Sequence, residues 1–110
     1  MIPAHVRIFV CTEPMDLRRS FDGLALAARE RLGQDPRAGG LFAFANRRMN
    51  RLKLLWFDRN GYCLLYKRLH QAVFALPRAT DGVAVQIDGG ALAQLLAGVA
   101  RAPRATPIRR

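Results

Sequence analysis

The feature that most restricts how this chain can fold is a pair of strand-like runs wrapped around one short loop. Residues 52–57 (LKLLWF) and 62–69 (YCLLYKRL) flank Asp58-Arg59-Asn60-Gly61. An Asn-Gly loop tolerates positive φ, and between two apolar and aromatic runs it specifies an antiparallel hairpin. Alternation along such strands then assigns each side chain to a face. Arg51 and Lys53 fall on one face, away from Leu52 and Leu54, and Tyr62 and Tyr66 share a side.

The remaining chain supplies elements to pack around that hairpin. Residues 6–12 (VRIFVCT) form a β-rich run closed by Glu13-Pro14. Asp16 is expected to cap a helix over 17–32 that ends at Gly33, with Leu17, Phe21, Leu24, Ala28 and Leu32 on its buried stripe. Gly23 inside that helix costs roughly 1 kcal/mol relative to Ala, which close approach of a neighbouring element would justify. After turns at Asp35-Pro36 and Gly39-Gly40, residues 41–45 (LFAFA) read as a strand. A short strand over 73–76 precedes Pro77, Thr80-Asp81-Gly82 turns the chain, and 83–87 alternates weakly. Asp88 is expected to cap a second helix reaching about Ala100, burying Leu92, Leu95, Leu96 and Val99.

This order predicts the α+β class: a small, mainly antiparallel sheet with a central basic β-hairpin and two packed helices. A length of 110 residues suits one such domain, expected over 1–100 and followed by a basic flexible tail over 101–110. Residues 1–6 hold no long apolar stretch, so no secretory signal is expected. No run approaches the roughly 20 apolar residues of a membrane span, and a cytoplasmic location with no membrane partner is expected. Cys11 and Cys63 lie in apolar runs and are read as buried, reduced thiols, since two cysteines make neither a disulfide framework nor a zinc set.

Charge is concentrated where the hairpin is. Between residues 41 and 80, Arg47, Arg48, Arg51, Lys53, Arg59, Lys67, Arg68 and Arg78 face one acid, Asp58, within a chain of formal net charge +10. Arginines dominate these cations, and a planar guanidinium suits bidentate contact with phosphate. A high-GC genome also favours Arg over Lys, but that does not account for the charge imbalance. These eight cations are the candidate nucleic-acid-binding residues, with Arg47, Arg48 and Arg51 forming a loop cluster. A two-stranded ribbon carrying cations at its ends and tip can lie along a nucleic-acid groove, mostly gripping phosphates.

Catalysis finds less support. Metal-dependent phosphoryl transfer needs two or three converging carboxylates. Here Asp16 and Asp88 are placed as caps, Asp58 and Asp81 as turn residues, and Asp22 and Glu30 beside helix arginines. No metal, cofactor or catalytic residue is therefore assigned. The alternative is a small metal-independent RNase or toxin-like enzyme built from Tyr62, Tyr66, Arg51, Lys53 and Lys67. Against it stands the ordinary role of half-buried strand aromatics. A third possibility is a pure protein–protein adaptor whose charge serves docking.

Several stretches together resemble a known family. They are Val6-Arg7-Ile8, Asp16-Leu17-Arg18-Arg19-Ser20-Phe21-Asp22-Gly23-Leu24, and Leu41-Phe42-Ala43-Phe44 leading into Asn46-Arg47-Arg48. The hairpin residues 51–58, then Gly61, Cys63, Tyr66-Lys67-Arg68-Leu69, Pro77 and Leu92-Ala93-Gln94-Leu95-Leu96 complete the set. The chain resembles, over about 6–99, the TnpB-type (second reading frame) accessory proteins of the insertion-sequence sixty-six family. Members are encoded beside a separate transposase that carries the acidic triad. The resemblance implies a non-enzymatic accessory role in transposition, with transposon DNA, the transposase of the same element, or both as partners. It carries over no catalytic residue, and the RNA-guided nucleases that share the TnpB name are much longer. Members commonly place an aromatic before the proline aligned with Pro77, where this chain has Leu76.

Overall fold

A computed structural model describes residues 6–101. The expected tail lies outside the described residues, apart from Arg101. Nine regular elements follow in order: β1 (Ile8–Cys11), α1 (Phe21–Leu32), β2 (Leu41–Ala45), β3 (Arg51–Asp58), β4 (Gly61–Arg68), β5 (Ala72–Val73), β6 (Ala84–Ile87), α2 (Gly89–Ala97) and β7 (Val99–Ala100). A 3-10 turn at Pro36–Ala38 precedes β2.

Five strands form one sheet in the order β4-β3-β2-β1-β6, and β5 pairs with β7 in a small second sheet. Only β1 and β2 are parallel, and α1 is the crossover that a parallel pair requires. The expected α+β class and mainly antiparallel sheet are what the chain adopts. The hairpin, though, occupies one side of the sheet: β3 is second from the edge and β4 is the edge itself.

Period-two alternation explains the core. Phe9, Cys11, Phe42, Phe44 and Leu55 point to one face and meet Leu24, Ala25, Ala28 and Leu32 of α1. Ile8, Val10, Leu41, Ala43, Leu52, Leu54 and Trp56 point to the other and meet Leu92 and Leu95 of α2. With both faces covered, β2 is buried at all five positions and reads as an unbroken apolar run. Cys11 and Cys63 are both free thiols, the first buried and the second half-buried.

The helices are shorter than their patterns suggest. Helix α1 begins at Phe21, not at residue 17, and Ser20 holds the cap position. Asp16 caps nothing: its carboxylate accepts from the Arg18 amide at 3.0 Å, a local turn that competes with helix. Leu17 is buried all the same, while Phe21 of the expected stripe is 43% exposed. The close neighbour of Gly23 is the stem of Arg19, 3.1 Å from where a Cβ would stand, so the crowding comes from the preceding turn. Asp88 does cap α2, accepting from the Ala91 amide at 2.8 Å. That helix stops at Ala97, because Gly98 (φ 77°) redirects the chain into β7, and Val99 is exposed where burial was expected. In the hairpin loop the positive φ falls on Arg59 (58°), not on Asn60 or Gly61.

Candidate nucleic-acid interface

The turn between β2 and β3 is built by Asn46. Its carbonyl accepts the Met49 amide at 3.0 Å, closing a β-turn whose central residues are Arg47 and Arg48. The Asn46 side-chain oxygen accepts the Asn50 and Arg51 amides, each at 3.0 Å, and its amide donates to Asn50 Oδ1 at 2.8 Å. Met49 completes the reversal at φ 58°. The Phe74 amide donates to Met49 O and the Leu69 amide to Asn50 O, each at 2.7 Å, which ties the turn to the chain beyond β4. Two adjacent arginines are thus held out on a hydrogen-bonded frame, and both are exposed.

On the other side, the Met15 amide donates to Ala45 O at 2.8 Å and brings the loop after β1 alongside this turn. Between them lies an open cleft of ≈ 690 Å³ whose polar lining includes Asp16, Arg18, Asn46, Arg47, Arg48, Arg51, Lys53 and Tyr66. Asp16 is the one carboxylate among the described lining residues, and it is already engaged. The Arg18 guanidinium and amide both donate to it and hold its carboxyl well below the usual range, at about 2.

Tyr66 stands at the edge of this cleft, half exposed. Arg51 Nη1 donates to its hydroxyl at 3.1 Å, and the Lys53 amine sits 4.9 Å from its ring centroid. Lys53 itself is 8% exposed and donates to Arg19 O at 2.8 Å, so it braces the Arg18-Arg19 loop and the tyrosine from inside. Arg51 and Arg68 are directly opposed across β3 and β4. Like charges in that position are destabilising. Arg51, Tyr66 and Arg68 also line a smaller adjoining hollow of ≈ 210 Å³.

The eight cations singled out in the sequence therefore part company. Arg47, Arg48, Arg51 and Arg68 gather at one end of the sheet around Tyr66, with Lys53 beneath. Lys67 points to the opposite face and donates to Leu96 O at 2.7 Å, at the end of α2. Arg59 lies at the far end of the hairpin, and Arg78 follows Pro77; neither is among the residues lining the cleft. The hairpin is no free ribbon either, since β3 also pairs with β2 along five residues. Arg18, Asn46 and Asn50 were not foreseen as part of the site. The two asparagines bracketing Arg47-Arg48 were the available signal, because Asn bonds readily to nearby backbone in turns.

Among the described residues, no three His, Cys, Asp or Glu are placed to hold a metal ion. No helix among them is long and apolar enough to cross a membrane.

The family model described as "IS66 Orf2 like protein" matches residues 6–105. A Sinorhizobium fredii protein, "Uncharacterized protein y4hO", is 39% identical over 101 residues, covering 90% of this chain and 87% of its own. A second from the same organism, "Uncharacterized protein y4jC", is 34% identical over 94 residues, covering 86% of this chain and 80% of its own. No solved structure matches the chain.

Proposed function

We propose a binding role for this protein, which belongs to the IS66 Orf2-like family of transposition-associated accessory proteins. It is a non-enzymatic factor that holds transposon DNA in the arginine cleft and works beside the separately encoded transposase. The observation that carries this is the gathering of Arg47, Arg48, Arg51 and Arg68 around one exposed tyrosine, where the lining carboxylate is already paired with Arg18. The Arg51–Arg68 opposition works against stability, and a polyanion lying across it would relieve it.

Arginines on a fixed turn grip phosphates and position the protein more than they read sequence. The full-length protein should retain element-end DNA at low salt, and the double variant Arg47→Glu, Arg48→Glu should weaken retention alike on all sequences. Retention unaffected by that variant, with loss of co-purifying transposase instead, would assign the cleft to a protein partner.

A further inference from the structure

Resting on the assignment of this cleft to DNA, we infer that the form it takes is a single strand, with one unstacked base laid against the ring of Tyr66. The shape argues for this first. Duplex DNA is read by an element that protrudes into a groove. Here the cations surround a hollow, and β3 is locked between β2 and β4. A rigid duplex can touch the rim of such a hollow with its phosphates, but its bases stay stacked on one another. A flexible strand can enter.

Tyr66 is prepared for such a guest. One face of its ring is covered by the buried Lys53 amine and its hydroxyl is held by Arg51, so the ring is fixed in place. Half of the residue is still exposed, so ring surface remains within reach of a base. A fixed aromatic face flanked by guanidinium groups is the arrangement by which single strands are held, because every base has a π-face to stack. The two hollows that share Tyr66 and Arg51 give the flanking phosphates separate partners: Arg47 and Arg48 in the larger, Arg68 in the smaller. Tyr62, on the same side of the strand, is not equivalent. It is half buried, and its ring packs edge-on against Phe57 at 5.1 Å.

The test uses the full-length protein with a short single-stranded oligonucleotide carrying a fluorescent adenine analogue quenched by stacking, and with the duplex of the same sequence. The single strand should bind more tightly than the duplex at equal salt, with the emission quenched. Tyr66→Leu should weaken single-strand binding about tenfold and abolish the quench, whereas Tyr66→Phe, which keeps the ring but loses the bond from Arg51, should keep the quench with a smaller loss of affinity. Equal affinity for the two forms, or no quench with the unmodified protein, overturns the stacked strand. If Arg47→Glu with Arg48→Glu still weakens binding in that case, the DNA assignment survives alone. Failure of both forms to bind at low salt overturns both.

Discussion

Asn46 illustrates how single residues divide the work at this site. Its side chain makes three hydrogen bonds that hold the turn, while its neighbours Arg47 and Arg48 face solvent and make no side-chain hydrogen bond to the described residues. Asn46→Ala should therefore cost about 2 kcal/mol of stability, at roughly 1 kcal/mol per net hydrogen bond with one backbone amide recovering water. Arg47→Glu should stay within about 0.5 kcal/mol of the parent, as exposed substitutions do. Both should weaken DNA binding, but only the first should lower the denaturation midpoint. A Asn46→Ala protein as stable as the parent would mean that the turn is held by other contacts. The arginine cluster was legible in the sequence as charge and spacing. What those residues rest on was not, because the frame depends on amides supplied by Asn50 and Arg51 once the turn has closed. Lys53 shows the opposite failure: alternation placed it correctly beside Arg51, yet it is buried, because Arg19 and Tyr66 close over it.

At the level of elements, local chemistry located the strands of the five-stranded sheet well and the helix ends less well, and the short strand expected over 73–76 forms instead at Ala72–Val73. Residues 41–45 and the hairpin were readable because apolar alternation and an Asn-Gly loop are short-range signals. The start of α1 was misplaced because Asp16 has two local uses, and pairing with Arg18 won over capping. The end of α2 was misplaced because Val99 continues the apolar pattern, and only the position of Gly98 shows that the helix has stopped. There a Cβ would lie 2.6 Å from Leu69 Cδ1 and 3.2 Å from Val73 O, at a φ of 77°. Gly33, which ends α1, also has positive φ (66°) but no atom within 4 Å of the added carbon. Gly98→Ala should thus cost about 2 kcal/mol or more, and Gly33→Ala about 1 kcal/mol, since only the former adds a clash to the backbone strain. Chemical denaturation of the two variants gives the comparison. Equal losses would show that α2 and the β5–β7 pair shift apart without cost.

The whole molecule is where sequence reasoning ran shortest. The α+β class and the two helices were visible, but strand order was not, because pairing between distant segments leaves no local mark. The parallel β1–β2 pair, with α1 as its crossover, moves the hairpin from the middle of the sheet to its side. That placement separates cations that looked like one set. Arg47, Arg48, Arg51 and Arg68 share an end with Tyr66, Lys67 is turned to the α2 face, and Arg59 lies a strand's length away. On the proposed reading, placement more than the formal +10 charge makes the cleft a site for DNA. The most direct test of that reading is the dependence of DNA affinity on salt in two double variants that change the charge equally. Arg47→Glu with Arg48→Glu should reduce the slope of log affinity against log salt by about 1.5, as expected for two lost phosphate contacts. Arg59→Glu with Arg78→Glu should leave that slope near the parent's. Equal reductions in the two would contradict the account, and would make this a generally basic protein without a located site.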